Sequence, residues 1–186
     1  MIEYYTHAAG HNFEGVEILR YRIVLPCFSD SLRISDFYRE IYDKVLCYCE
    51  HELTSYAEKK YLECDLPKKK FEYRPLIYRL EGRATCAEGD LLFVKLTASV
   101  MQRGLTEPHV IYDAHAWSLS DERLIPPKIA AREYFGSRYN QYKRIGKNGF
   151  LVENGKPYMC CGNTLRPLEF IKKVGKGKDL KAAEIS

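Results

Sequence analysis

Ser31-Leu32-Arg33-Ile34-Ser35-Asp36-Phe37-Tyr38-Arg39-Glu40-Ile41-Tyr42-Asp43-Lys44-Val45-Leu46-Cys47-Tyr48-Cys49 is the stretch on which the fold turns. Followed on to Tyr61, it sets apolar residues at Ile34, Phe37, Tyr38, Ile41, Val45, Tyr48, Cys49, Leu53 and Tyr56. Steps of three and four residues draw one apolar stripe down a helix, and Arg39, Glu40, Asp43, Lys44, Glu50 and Glu58 lie mostly off it. Ser31 or Asp30 can accept from the first free N–H groups of that helix. Pro67 and the basic run Lys68-Lys69-Lys70 place its end near Glu63.

A helix with one apolar face needs a sheet or another helix to cover it. The flanking sequence supplies strands. Before the helix, Val16-Glu17-Ile18-Leu19-Arg20-Tyr21-Arg22-Ile23-Val24-Leu25 alternates apolar and polar positions, the period of a half-buried strand. After it, Leu76, Tyr78 and Leu80 alternate with Ile77, Arg79 and Glu81. Ala87-Glu88-Gly89-Asp90 then reads as a hairpin turn, and Leu92, Val94, Leu96, Ala98 and Val100 as the apolar face of the next strand. His109 to Leu119 makes a third strand, and connections this short dictate an antiparallel meander. Ser120-Asp121-Glu122-Arg123 turns the chain, and Pro126-Pro127 opens a short helix that ends near Gly136. Asn154-Gly155 lies at the tip of a last hairpin, Gly149-Phe150-Leu151-Val152 against Pro157-Tyr158-Met159-Cys160.

These elements define an α+β fold, one long amphipathic helix packed on a mainly antiparallel sheet. They divide the chain into a single domain over residues 14–171, an N-terminal extension over 1–13, and a basic, frayed tail over 172–186. A chain of 186 residues is long enough to bury a substantial core. Its 15 Tyr against 8 Phe and 1 Trp suit half-buried sheets and contact surfaces, where a ring packs and a hydroxyl stays wet.

The net charge of +4 is too small to imply nucleic acid by itself, but it is unevenly spread. From Arg132 onward there are 12 basic and 5 acidic residues, so an acidic partner would be sought in that third. Met1-Ile2-Glu3-Tyr4-Tyr5 has no basic start followed by an apolar stretch, and no apolar run approaches the roughly 18 residues of a membrane span. With seven cysteines and no export signal, the expectation is reduced thiols in the cytoplasm. Cys47 and Cys49 diverge on a helix, and Cys160 and Cys161 point to opposite faces of a strand. Neither pair has the spacing of a zinc site, so buried structural cysteine is the expected role, with no metal and no cofactor.

Phosphate-cradling and dinucleotide loops, H-E-x-x-H and G-x-S-x-G are all missing, which argues against nucleotide chemistry and the common hydrolase sites. The best polar constellation is Asp113 with His115, which share one face of a strand about 7 Å apart. They would be the first two parts of a base-assisted nucleophile, with Cys86, Thr97 or Ser99 on neighbouring strands as the third. The plainer reading, a structural pair lining the sheet, is preferred. Tyr134 to Phe150 interleaves aromatic residues with cations, Tyr139 and Tyr142 with Arg138, Lys143 and Arg144, a mixture that single-stranded nucleic acid uses. A solvated face with a few core aromatics is again the plainer reading.

The order of parts carries one resemblance. Ile23-Val24-Leu25-Pro26 ends a strand, and Phe37-Tyr38-Arg39-Glu40-Ile41 lies on the helix. Tyr112-Asp113-Ala114-His115-Ala116-Trp117-Ser118-Leu119 leads through a turn to Ala130-Ala131-Arg132-Glu133-Tyr134-Phe135, and Gly149 to Tyr158 makes a late hairpin. Over residues 14–170 this resembles the extracytoplasmic domain of the anti-sigma-V factor of Firmicutes, which is also found beside a peptidoglycan deacetylase domain. That family has Gly where Asp113 stands, and a Gly-containing turn where Ser120-Asp121-Glu122-Arg123 stands. The resemblance implies a non-catalytic sensor domain that binds a protein, lysozyme in the family. The expected function is therefore a protein- or ligand-binding module, with Tyr112, Trp117, Tyr139, Tyr142, Arg138, Lys143 and Arg144 as candidate contact residues. The alternatives are a small hydrolase using Asp113 and His115, or RNA binding through the basic C-terminal third.

Overall fold

The computed structural model of the protein describes residues 2–64, 73–102, 105–141 and 149–168, and side chains there except at positions 86, 87, 140 and 141. Two long strands open the chain, β1 (Ile2–Phe13) and β2 (Val16–Phe28). Glu14 and Gly15, both at positive φ, make the two-residue turn between them. A helical run follows as α1 (Leu32–Tyr48), a π-helical turn (Cys49–Leu53) and α2 (Thr54–Leu62). Next come β3 (Leu76–Glu88), β4 (Leu91–Met101), β5 (His109–Ser118) and the short β6 (Arg123–Ile125). The chain closes with α3 (Pro127–Phe135), a 3-10 turn (Gly136–Gln141), β7 (Phe150–Glu153), β8 (Lys156–Cys161) and β9 (Thr164–Pro167).

Among the described residues the strands form two sheets, one of six in the order β1-β2-β3-β4-β5-β6 and one of three in the order β7-β8-β9. Only β2 and β3 pair in parallel, and the helical run is the crossover that parallel pairing requires. Within the stretch 1–13, which the sequence sets apart as an N-terminal extension, Ile2–Phe13 form β1, which pairs antiparallel with β2 along its whole length. Its apolar positions are too diluted by Thr6, His7, Gly10, His11 and Asn12 to read as a strand by period alone. The tail, residues 172–186, lies outside the described residues.

Ser31 caps α1, its hydroxyl accepting from Ile34 N–H at 3.4 Å. Ser35, buried one turn on, ties the helix to the end of β2: its hydroxyl accepts from Phe28 N–H at 2.7 Å and donates to Phe28 C=O at 2.8 Å. The buried stripe then runs through Ile34, Tyr38, Cys49, Leu53, Ala57 and Tyr61. Tyr48 and Tyr56, expected on it, are 41% and 38% exposed, and Ala57 and Tyr61 take their places. For Tyr56 the π turn is the cause. Each step of four residues rotates an α-helical stripe by about 40°, so a long run of such steps winds off the sheet. One wider turn at Cys49–Leu53 takes up the drift and returns α2 to the core.

The six-stranded sheet is covered on both faces, which the sequence reading did not anticipate. One face carries Leu19, Tyr21, Ile23, Leu25, Leu80, Leu92, Val94, Leu96 and Trp117 and packs on the helical run. The other carries Leu91, Phe93, Ala114 and Ala116 and packs on α3 and the small sheet, through Ala130, Ala131, Phe135, Phe150, Leu151 and Val152. Gly149 makes the closest approach: a Cβ there would meet the Cβ, N and O of Ala114, each at 2.8 Å. Tyr112 N–H donates to Gly162 C=O at 2.8 Å, so the β8–β9 turn also covers part of the outer edge of β5. Lys95 of β4 pairs with Glu153 of β7.

This second layer stops short. Among the described residues it covers the β4–β6 half of its face and touches β3, while the rest of the β1–β3 half stays open and presents the exposed residues Tyr4, Thr6, Ala8, Gly10, Arg20, Arg22 and Arg79.

Candidate functional site

Asp113 and His115 do share a face of β5, as their i, i+2 spacing requires, and it is the helix face. His115 sits opposite Val94 and Asp113 opposite Leu96. The imidazole is largely buried, with the edge of Phe37 against it at a ring distance of 5.3 Å. Its Nδ1 lies 3.1 Å from the Tyr38 hydroxyl, and the Tyr38 oxygen accepts from Trp117 Nε1–H at 3.0 Å. Burial raises the Tyr38 pKa well above the usual phenol value, so its proton stays in place and can be donated to Nδ1. The ring proton of a neutral His115 then belongs on Nε2, towards Asp113. Asp113 Oδ2 is 3.7 Å from that nitrogen, ion-pair range but too long for a hydrogen bond. Its other oxygen accepts from Ala114 N–H at 2.8 Å.

The chain of donors therefore runs Trp117, Tyr38, His115, with Asp113 at the solvent end. Burial lowers the His115 pKa and the Asp113 carboxylate opposes it. Of the three nucleophiles expected, neither of the two described stands beside this arrangement. Thr97 and Ser99 pair with Tyr112 and Val110, so register puts them on the opposite face of the sheet from His115. The side chain of Cys86, the third nucleophile considered, is outside the described atoms. Tyr38 is the hydroxyl at hand, and burial makes it a poor nucleophile.

The other singled-out residues are dispersed. Trp117 is 3% exposed and belongs to the core. Tyr112 and Tyr139 are half-buried against the second layer, Tyr139 beneath the Arg132 guanidinium at 5.3 Å. Arg138 is exposed, and Tyr142, Lys143 and Arg144 lie outside the described residues. Cys49 and Cys160 are buried, Cys27, Cys64 and Cys161 half-buried and Cys47 exposed. Among the described residues no three metal-ligating side chains converge, and no helix is long and apolar enough to cross a membrane.

A second cluster lies on the open half of the sheet, where a shallow groove of about 470 Å³ is lined by Ala8, Gly10, Glu17, Arg20, Arg22 and Arg79 among others. Arg20 is held by Glu17 through two hydrogen bonds, 3.1 Å from Nε and 2.5 Å from Nη2. Arg22 and Arg79 stand side by side in register on the parallel strands β2 and β3. Neither has a carboxylate within ion-pair distance among the described residues. Two like charges side by side on neighbouring strands repel, which favours a carboxylate between them. Arg20, Arg22 and Arg79 were each visible as polar positions in alternating strands. Their convergence was not, because it depends on β2 and β3 being parallel neighbours.

No protein-family model matches the sequence, and no curated protein matches it either. Solved structures do. A member of the DUF3298 family from Bacteroides fragilis is similar with a TM-score of 0.53 at 10% identity, over 86% of this chain and 82% of that one. A DUF3298 family protein from Pseudomonas aeruginosa is similar with a TM-score of 0.47 at 8% identity, over 86% of this chain and 80% of that one. At such identities the likeness to the Bacteroides protein speaks for the fold alone.

Proposed function

We propose that this chain is a non-catalytic binding module that meets its partner through the open half of the large sheet. The observation that carries the reading is the contrast between the two polar clusters. Around His115 the hydrogen bonds close upon one another, from Trp117 through Tyr38, and the expected hydroxyl nucleophiles lie behind the sheet. On the open half, two arginines are exposed and have no carboxylate within ion-pair distance among the described residues. Enzyme sites gather a nucleophile, a base and an oxyanion donor around a reacting atom; among the described residues the first cluster offers a buried base with neither Thr97 nor Ser99 beside it. The likeness in order of parts to the anti-sigma-V sensor domain supports the same class of role, recognition without turnover.

The test is a two-sided assay of the wild-type chain and His115→Ala. A panel of activated esters and amides reads hydrolysis, and capture from a lysate of the source organism reads binding. The binding reading expects no turnover above the solution rate from either protein, and the same partner retained by both. Turnover by the wild type that disappears in His115→Ala would instead establish the hydrolase.

A further inference from the structure

The open half of the sheet ends at β1, and β1 has a free long side. Its twelve residues pair with β2 on one flank, and among the described residues nothing pairs with the other. Edge strands are commonly protected by Lys, by Pro or by an inward charge. β1 has no Lys, Arg or Pro, and its single carboxylate is Glu3. Both of its histidines are engaged on the helix face, His7 stacked on Tyr21 at 5.7 Å and His11 bonded to Glu58 at 2.9 Å. On the open face its residues are Ile2, Tyr4, Thr6, Ala8, Gly10 and Asn12, all without charge.

Ala8 and Gly10 separate this free edge from the arginines, for Ala8 is paired with Arg22 and Gly10 with Arg20. At Gly10 the sheet shows what the missing side chain is for. The Glu17 carboxylate lies over the glycine, so close that a Cβ there would come within 2.8 Å of its Oε1, and it binds Arg20 through both oxygens. One step along, at Ala8, Arg22 and its neighbour Arg79 have no such carboxylate.

We propose, building on the binding-module reading, that an acidic peptide in extended form adds to β1 as an outer strand and lays one carboxylate over Ala8, against Arg22 and Arg79. Strands stand about 4.8 Å apart, so an added strand would lie roughly 10 Å from β2. A glutamate and an arginine reaching toward each other span that distance, and a small residue between them leaves the path clear. Main-chain hydrogen bonds to β1 supply affinity, and the alternate side chain over Ala8 supplies selectivity. The charge pair fits a carboxylate held by two guanidinium groups, the geometry that arginine favours.

The probe is a fluorescein-labelled octapeptide alternating Glu with Val and Thr, titrated with the full chain and read by fluorescence anisotropy. The expected result is saturable binding that weakens by about tenfold or more when Gln replaces Glu. It is also lost when one alternate set of peptide amides is N-methylated, since those amides face β1. In the protein, Arg22→Gln with Arg79→Gln abolishes the preference for Glu over Gln, while Lys128→Gln, an exposed cation on α3, leaves it unchanged. Arg22→Glu with Arg79→Glu reverses the preference toward the Lys version of the peptide, a gain that a misfolded variant could not give. Absence of saturable binding, equal affinity for the Gln peptide, or a stable dimer joined through β1 in sedimentation would overturn the proposal. A partner captured from lysate and retained equally by the double Gln variant would overturn it while leaving the binding-module reading intact. Turnover dependent on His115 would remove that reading as well.

Discussion

Tyr38 on α1 and His115 on β5 are joined hydroxyl to Nδ1 at 3.1 Å, and this contact, with Trp117 behind it, locks the long helix to the sheet. Tyr38→Phe keeps the ring and removes the oxygen, leaving the Trp117 N–H and the His115 Nδ1 without their buried partner. A buried polar group stripped of its partner costs about 1–3 kcal/mol. The unfolding midpoint in urea should fall accordingly. Trp117 is the chain's sole tryptophan, so its emission reports both the lost hydrogen bond in the native state and the unfolding transition.

Burial of the same imidazole gives stability a pH dependence. Burial holds the His115 pKa below its ordinary 6.5, so the folded chain binds this proton less readily than the unfolded chain. The stabilisation is complete above that value and declines as the pH falls through it, by at most about 1.4 kcal/mol per unit. Urea midpoints at pH 7.5 and 5.5 should differ by less in His115→Phe than in the wild type. An equal difference in the two proteins would show that other groups govern the acid limb.

Docking of the second layer depends on Gly149. In Gly149→Ala the new methyl group overlaps Ala114 at backbone as well as side-chain atoms, so no rotamer relieves it. Overpacking of this kind costs about 1–3 kcal/mol. Amides of β7 and β8 should exchange faster in the variant, while those of β2 and β3, on the far half of the sheet, keep their protection.

Thiol chemistry should follow burial. Cys49 and Cys160 are buried, and burial pushes both thiols up to about 12. Cys47 is exposed on the outer side of α1. Brief treatment with iodoacetamide at neutral pH should label Cys47 and spare Cys49 and Cys160, and added urea should open both, as read by peptide mass spectrometry. Early labelling of Cys160 would contradict the packing of β8 against the sheet.

Most of the main sheet was legible because β2 to β5 carry alternating stretches and Gly89-Asp90 marks the β3–β4 turn, as Asn154-Gly155 marks the β7–β8 turn of the small sheet. The helix declared itself by period; Tyr48 was placed on the stripe one residue before the buried Cys49, and the phase past Cys49 was misjudged because a π turn has no sequence signature of its own. β1 was missed because a strand that ends a sheet needs few apolar residues. The packing of β7–β9 across the sheet was missed because its contacts, Gly149 on Ala114 and Phe150 on Phe93 among them, join residues far apart in sequence. The candidate site divides along the same line. The adjacency of Asp113 and His115 is local and was readable, as was the divergence of Cys47 and Cys49. The partnership of His115 with Tyr38, and of Arg22 with Arg79, comes from elements brought together by the crossover between β2 and β3.

Hydrogen–deuterium exchange of the chain, free and saturated with its captured partner, tests most directly whether the open half of the sheet is the working surface. The account predicts that protection on binding concentrates in β1 and the adjoining parts of β2 and β3, with the Asp113–His115 region of β5 unchanged. Protection centred on that region, with β1 exchanging as fast as in the free chain, would contradict it.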